Sequence, residues 1–102
     1  QSFPEKEEGI IEISVYTVKQ EYLEEFSAIR AKILDVLKTF KGFKSITTLH
    51  SIEHPNTFSE IIEWGCKEDC DLAQMQAQKM PELQPFMNAI EKVVLFEFFM
   101  IE

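Results

Sequence analysis

The sequence has 102 residues, of which 45% are hydrophobic, and it carries a formal net charge of -8 with a pI near 4.7. This length and composition predict one folded, soluble domain, because no apolar run approaches the roughly 20 residues that a membrane-spanning helix needs. The acidic charge argues against nucleic acid or an anionic membrane as a partner, since both are bound through clustered Lys and Arg. We therefore expect a soluble protein, in the cytoplasm rather than secreted, with no nucleic-acid partner and no membrane partner.

The chain begins with a polar, acidic stretch and continues into a strand-like pattern. QSFPEKEEG predicts a loose arm over residues 1–9, ahead of a single domain over residues 10–102. The following nine residues, Ile10–Val18, alternate with the two-residue period of a β-strand. One face of this strand is apolar (Ile11, Ile13 and Val15) and the other is mixed (Glu12, Ser14 and Tyr16).

The next segment has the period of an amphipathic helix. Between Gln20 and Phe40, apolar residues recur at intervals of three and four: Tyr22, Phe26, Ile29, Ile33, Leu37 and Phe40. Gly42 is predicted to end this helix in a left-handed cap. Two strand-like runs follow, FKSITTLHSIE and TFSEIIEWG, and the turn residues Pro55 and Asn56 between them predict a hairpin.

The last third of the chain predicts a second helix and a final strand. Glu68 and Asp69 open EDCDLAQMQAQK, a helical segment that we expect to be interrupted near Pro81 and Pro85 and to resume through Ile90. In Val93–Ile101, eight of nine residues are apolar, which is typical of a strand buried on both faces.

The order of elements, β-α-β-β-α-β, predicts a ferredoxin-like α+β fold with an antiparallel sheet. Two helices cover only one face of such a sheet, whereas the last strand is apolar on both faces. Leaving three or four large side chains exposed would forfeit roughly 1.5–3 kcal/mol for each. We therefore expect a homodimer that packs through its sheet faces.

The sequence resembles the antibiotic biosynthesis monooxygenase-like group of the dimeric α+β barrel superfamily. The resemblance covers nearly the whole chain from Ile10, and its features are a strand leading into a helix that contains Phe26, the KGF at residues 41–43, the EW at residues 63–64, the acidic helix start and PELQPFMNAI at residues 81–90. It implies a barrel-like dimer with a pocket in each subunit between the sheet and the helices. Known activities of the group include cofactor-independent oxygenation of quinol or anthrone-like aromatics and haem degradation, and some members have no known activity.

The haem-degrading branch places an asparagine on the first strand, and a tryptophan and an iron-ligating histidine in the second helical region. This sequence has none of them there: its asparagines are Asn56 and Asn88, its histidines are His50 and His54, and Trp64 precedes the helix. We therefore expect no haem, and no other cofactor or metal.

Oxygenation without a cofactor needs an apolar pocket that holds a base and hydrogen-bonding groups. His50 is the predicted catalytic base, because its intrinsic pKa suits proton transfer near neutral pH. The predicted substrate-binding residues are Ser14, Tyr16, Trp64, Phe86 and Glu97. In the alternative interpretation these are ordinary strand, core or interface residues, and the protein is a non-catalytic homodimer that binds a small apolar or aromatic molecule.

Two further residue pairs deserve separate interpretation. Glu60 and Glu63 lie three apart on a strand and so face opposite sides, which excludes a carboxylate dyad. Cys66 and Cys70 could join His50 and His54 in a zinc site or form a disulfide, but their spacing favours neither. We interpret them as two small buried hydrophobic residues, with the reactivity of both thiols left open.

Overall fold

The computed structural model describes residues 9–102. This part of the chain contains four strands and three α-helices: β1 (Ile10–Val18), α1 (Phe26–Leu37), β2 (Phe43–His50), β3 (Thr57–Trp64), α2 (Lys67–Gln78), α3 (Gln84–Ala89) and β4 (Ile90–Met100). The predicted N-terminal arm lies outside the described residues apart from Gly9. Within the described residues, no helix is both long enough and apolar enough to cross a membrane.

The four strands form one antiparallel sheet in the order β2-β3-β1-β4. With α2 and α3 as one helical region, the chain order is β-α-β-β-α-β, which confirms the predicted ferredoxin-like α+β fold. The central strands β1 and β3 pair so that Ser14 lies directly opposite Glu60, and Glu12 lies opposite Ile62. This register places polar residues of both strands on the same face of the sheet.

The first predicted helix is shorter than its apolar pattern. Gln20–Glu25 forms a 3-10 helix, and the α-helix runs only from Phe26 to Leu37. No side chain caps the N-terminus of the 3-10 helix or of the α-helix that follows it, and 3-10 turns are frequent at the ends of α-helices. Gly42 is left-handed as expected, with φ of 85°, but its predicted role as the helix cap is wrong. It lies in a later turn, closed by the Phe43 amide donating to the Phe40 carbonyl at 3.2 Å.

The second helical region breaks at one proline and not at the other. Pro81 opens a 3-10 turn that separates α2 from α3, whereas Pro85 sits in the first turn of α3. A proline is tolerated there because its missing N–H would have no partner in the helix. Strand β4 begins at Ile90, three residues before the predicted start, and its register with β1 shifts between Val15 and Tyr16.

The two faces of the sheet have different surroundings. The inner face, defined by Glu12, Ser14 and Tyr16 of β1 and their cross-strand neighbours, packs against the helices. It contributes to two buried clusters, one around Tyr16, Phe26 and Phe58 and the other around Ile62, Trp64, Cys70 and Ala73. The outer face, defined by Ile11, Ile13 and Val15 and their neighbours, has no covering layer within the described residues.

Strand β4 is not buried within one chain. Among residues 9–102 it pairs only with β1, and most of its large apolar side chains are exposed, from 40% at Phe98 and Phe99 to 70% at Met100. The predicted burial of both faces is therefore not met by the fold of a single chain, because the helices cover the inner face of this edge strand only in part and no described residue covers its outer face.

Candidate functional site

A cavity of about 480 Å³ lies between the inner face of the sheet and the helices. Its volume is in the range of pockets that hold small organic ligands. Most of its wall is apolar, with side chains from α1, α3 and the sheet such as Ile33, Leu37, Ile62, Phe86, Met87 and Phe96. Polar groups come from β1, β3 and α1 and from three glutamines of α2 and α3, namely Gln74, Gln78 and Gln84. Two buried carboxyl groups, those of Glu60 and Glu12, are the centres of its hydrogen-bonded clusters.

The first polar position is centred on the carboxylate of Glu60, a residue only 8% exposed. Ser14 Oγ donates a hydrogen bond to Glu60 Oε1 at 3.1 Å, and the hydroxyl of Tyr16 donates to Oε2. Arg30 Nη1 donates to the same Oε2 at 3.0 Å and forms an ion pair with it. Three side chains from β1 and α1 therefore converge on one buried carboxylate.

Arg30 is fixed by contacts beyond this ion pair. Its Nη1 also donates to the Ser59 carbonyl at 3.2 Å. Its guanidinium carbon lies 5.6 Å from the ring centre of Phe26 and 5.1 Å from that of Phe58, which are cation-π distances. The positive charge is thus held beside Glu60 inside a largely apolar environment.

Tyr16 is held in its neutral form. Burial raises the pKa of its hydroxyl well above the ordinary value, and the adjacent Glu60 carboxylate adds to this effect. Its ring packs edge-on against Phe26 and Phe86, at centroid distances of 6.0 and 5.6 Å. At neutral pH Tyr16 is therefore a hydrogen-bond donor, and Glu60 accepts its hydrogen bond.

The second polar position is the carboxyl group of Glu12. Trp64 Nε1 donates to Glu12 Oε1 at 2.9 Å, and Gln74 Nε2 donates to the same oxygen at 3.1 Å. Burial raises the pKa of Glu12 above its ordinary value of 4.5; the two hydrogen bonds act in the opposite direction, and the charge of Glu60 acts in the same direction as burial. A carboxyl group whose pKa is raised by burial thus shares the cavity with one that is held beside a cation.

The structure brings together four of the six predicted site residues. Ser14, Tyr16, Trp64 and Phe86 all line the cavity. Trp64 is fully buried, and its bond to Glu12 gives the indole a polar role in addition to packing. The predicted ligand contact of Trp64 stays a prediction, although its position on the cavity wall is consistent with it.

His50 and Glu97 lie away from the cavity within one chain. His50 is exposed at the end of β2, its ring is stacked on Phe58 at 4.1 Å, and its Nε2 lies 2.7 Å from the Pro55 carbonyl oxygen. Glu97 pairs with Ile13 and so belongs to the outer face. The separation of Glu60 and Glu63 onto opposite faces is as expected, because Glu63 pairs with Ile11.

Sequence reasoning missed Glu12, Arg30, Glu60 and Gln74 as a set. Arg30 follows Phe26 by four residues and precedes Ile33 by three, so its helical position alone could have placed it on the buried stripe. The pattern of β3 alone suggests only Glu63 as a carboxylate partner for Glu60. Its partners Ser14 and Tyr16 lie on another strand, and only the cross-strand register brings them together.

Both cysteines are free thiols in the structure. Cys70 is buried in the cluster around Trp64, and burial raises the pKa of its thiol to about 11. Cys66 is partly exposed. In the part of the chain that the structure describes, no group of three or more His, Cys, Asp or Glu side chains is placed to hold a metal ion.

Solved structures share this fold at low sequence identity. A variant of SnoaB, described as a cofactor-independent oxygenase from Streptomyces nogalater, aligns with a TM-score of 0.80 and 17% identity over 93% of this chain and 94% of its own. A proposed antibiotic biosynthesis monooxygenase from Bordetella bronchiseptica aligns with a TM-score of 0.77 and 16% identity over 93% of this chain and 98% of its own.

A proposed antibiotic biosynthesis monooxygenase from Chloroflexus aurantiacus gives a TM-score of 0.69 and 11% identity over 92% of this chain and 93% of its own. No protein-family profile and no curated protein sequence matches the chain. At these identities the likeness concerns the fold. The chain therefore has the α+β fold of the antibiotic biosynthesis monooxygenases, as its sequence resemblance implies.

Proposed function

We propose that this protein is a cofactor-independent oxygenase that acts on a small hydroxylated aromatic or anthrone-like molecule in the cavity. The observation that carries the proposal is the convergence of Ser14, Tyr16 and Arg30 on the buried Glu60 carboxylate. An apolar wall suits a flat aromatic ligand, and a carboxylate that lines the cavity can accept a proton from it. The names of the structural relatives point to the same general chemistry.

Glu60 is the base in this proposal. The substrate takes the place of the Ser14 hydroxyl at Glu60 Oε1 and transfers a proton to it. Arg30 and Tyr16 remain bonded to Oε2, so they keep the carboxylate oriented throughout the transfer. The electron pair of the broken C–H or O–H bond stays on the aromatic system, which becomes electron-rich enough to react with oxygen.

The oxygenation balances without an external reductant. For an anthrone-like substrate, the methylene carbanion transfers one electron to O₂, and the resulting radical pair forms a C–O bond as a peroxide. Loss of the second methylene proton then breaks the O–O bond and leaves a ketone. One oxygen atom enters the product, and the other leaves as water with the two hydrogens of the methylene group.

Turnover of anthrone under air tests the proposal. We expect oxygen consumption and ketone formation that persist in the presence of a metal chelator. Glu60→Gln should lower kcat by about 100-fold or more, because the amide cannot accept the proton. Glu63→Gln is the matched control, since Glu63 lies on the same strand but on the outer face, and we expect it to leave turnover within about twofold.

The variant His50→Ala tests whether His50, the base predicted from the sequence, removes the proton instead of Glu60. A loss of turnover in His50→Ala with turnover retained in Glu60→Gln would contradict the assignment of Glu60. No turnover of anthrone or quinol substrates by the folded wild-type protein would contradict the oxygenase itself.

A specific observation favours a second candidate, a non-catalytic binding module. Both oxygens of Glu60 already have protein donors, so the cluster is complete as a structural unit without any ligand. Apolar aromatic ligands would then raise the melting temperature of the protein without being consumed. Thermal shift and oxygen uptake measured on the same samples distinguish the two functions.

We also propose that the protein acts as a homodimer through the outer face of the sheet. The half-buried side chains of Ile11, Ile13, Val15 and Ile61, with Phe99 40% exposed beside them, support this arrangement. The face also carries Glu63 and Glu97, but its aliphatic and aromatic surface is unfavourable in water, and a second copy of the same face would bury it.

A further inference from the structure

The hydrogen bonds of Glu12 are distributed unevenly over its two carboxyl oxygens. Trp64 and Gln74 both donate to Oε1, and among the described residues no donor reaches Oε2. No buried side-chain nitrogen or oxygen in residues 9–102 lacks a partner, so Oε2 is not sealed in the core. Glu12 lines the cavity, and we infer from this that Oε2 faces it.

This arrangement fixes where a proton would sit on Glu12. An oxygen that accepts two N–H donors is the carbonyl-like oxygen of a carboxylic acid, so the proton belongs on Oε2. Oε2 then presents an O–H donor to the cavity when Glu12 is protonated and an additional acceptor when it is ionised. Among the described residues, Oε1 therefore has two protein donors, and Oε2 is available to a ligand.

The surroundings of Glu12 raise its pKa above the ordinary value. The groups near it that can carry charge are Glu60 on β3 and Cys70 on α2, Arg30 on α1 lines the same cavity, and the residue opposite it on β4 is Phe98. Arg30 is engaged with Glu60, and the thiol of Cys70 stays neutral because its pKa is raised to about 11. Burial of Glu12 and the negative charge of Glu60 therefore both disfavour ionisation of Glu12.

We propose that Glu12 is a recognition residue of the cavity, and that its Oε2 donates a hydrogen bond through the O–H group to a ketone oxygen of the bound molecule. This inference rests on the proposed function and deepens it, because it assigns a ligand-binding role to a further residue of the same cavity. It also assigns different duties to the two carboxyl groups: Glu60 accepts a proton at one position, and Glu12 donates a hydrogen bond at the other. Such a division by environment is a known way to give two carboxyl groups opposite roles.

Fluorenone is a suitable probe, because it is a flat neutral ketone with no methylene group to oxidise. Fluorene has the same shape without the ketone oxygen. Trp64 is the only tryptophan of the chain and contacts Glu12, so quenching of its fluorescence can report binding. Binding can thus be measured on the wild-type protein whether or not the protein turns over a substrate.

For wild type, we expect the affinity for fluorenone to fall by about fivefold as the pH rises from about 4 to about 8 and Glu12 ionises, as the loss of one ligand hydrogen bond implies. Binding of fluorene should not change over this range. Glu12→Gln should bind fluorenone throughout this range with the affinity of wild type at low pH. The amide oxygen of the new glutamine can still accept hydrogen bonds from Trp64 and Gln74. Its N–H₂ group takes the place of the Oε2 O–H and is a hydrogen-bond donor at every pH.

Glu12→Leu should bind fluorenone no better than fluorene, and circular dichroism checks that both variants are folded. Equal binding of fluorenone and fluorene by wild type at all pH values would overturn the inference and leave the oxygenase proposal to its own turnover test. The same pH dependence in Glu12→Gln as in wild type would also overturn it. Failure of both compounds to bind wild type would count against this inference and the proposed cavity function together.

Discussion

The two faces of strand β1 reverse the usual distribution of polar and apolar residues. The inner face carries Glu12, Ser14 and Tyr16 and lies under the helices, whereas the outer face carries Ile11, Ile13 and Val15 and has no covering layer in the described chain. A sheet with one solvated face normally turns its apolar side toward the helices. The reversal fits the roles proposed for the two faces: the inner face would bind a largely apolar ligand through a few polar groups, and the outer face would associate with a second copy.

The inner face can be polar because its buried groups are paired. Glu60 has three donors and Glu12 has two, so the desolvation of each carboxyl group is offset by hydrogen bonds. The outer face has no such network, and its half-buried aliphatic side chains gain little within one chain. The following predictions test this contrast from the larger expected effect to the smaller.

The largest effect is expected on the outer face. Ile13→Asp would place a charge at the centre of the proposed dimer interface, where burial without a partner is highly unfavourable. We expect the dissociation constant of the dimer to rise by about 100-fold or more, so that light scattering at micromolar concentration reports monomers. The fold itself should persist, because the outer face of a single chain is accessible to water.

Leu72→Asp is the matched control for this substitution. Leu72 is an exposed residue of α2, on the helical layer and away from the outer face, so its replacement should leave a dimer intact. A wild-type protein that is already monomeric at micromolar concentration would contradict the association role of the outer face.

The next effect concerns the buried ion pair of the inner face. Arg30→Met would leave the Glu60 carboxylate, with 10% of its side chain exposed, without its cation. We expect the free energy of unfolding in urea to fall by about 3 kcal/mol. Adding Glu60→Gln to Arg30→Met should restore much of the loss, because a neutral amide does not need the cation.

Lys67→Met provides the comparison for an ion pair outside the core. Lys67 pairs with Asp71 at 2.8 Å on the surface of α2, where both side chains are more than half exposed. Its loss should change the free energy of unfolding by about 0.5 kcal/mol or less. Equal effects of Arg30→Met and Lys67→Met would mean that the inner-face pair has no special role in stability.

The contrast between the faces also explains what the sequence could predict. The alternation over Ile10–Val18 predicted both faces of β1 correctly, and the polar face yielded Ser14 and Tyr16 as cavity residues. Glu60 was not recognised as their partner, because cross-strand register is a tertiary property that one strand's pattern does not contain.

Two further differences have local physical causes. The register shift in the β1–β4 pairing places Val93 opposite Tyr16, two residues from the partner of Val15, and the alternation within β4 does not reveal such an irregularity. His50 was predicted from its chemistry alone. Its position at the end of β2, held by Phe58 and the Pro55 carbonyl, depends on the geometry of the hairpin.

The smallest expected effect is the pH dependence of stability that Glu12 confers. Because burial raises the pKa of Glu12 in the folded state, the native protein binds a proton that the unfolded chain releases above its ordinary value of 4.5. The contribution of Glu12 to stability is thus complete below that value and is lost as the pH rises through the folded-state pKa. Glu12→Gln cannot titrate, so its free energy of unfolding should not show this decline. We therefore expect the stability of Glu12→Gln relative to wild type to increase with pH in urea unfolding measured from about pH 4 to pH 8. The opposite sign would mean that the bonds from Trp64 and Gln74 outweigh burial and that Glu12 is held ionised on the inner face.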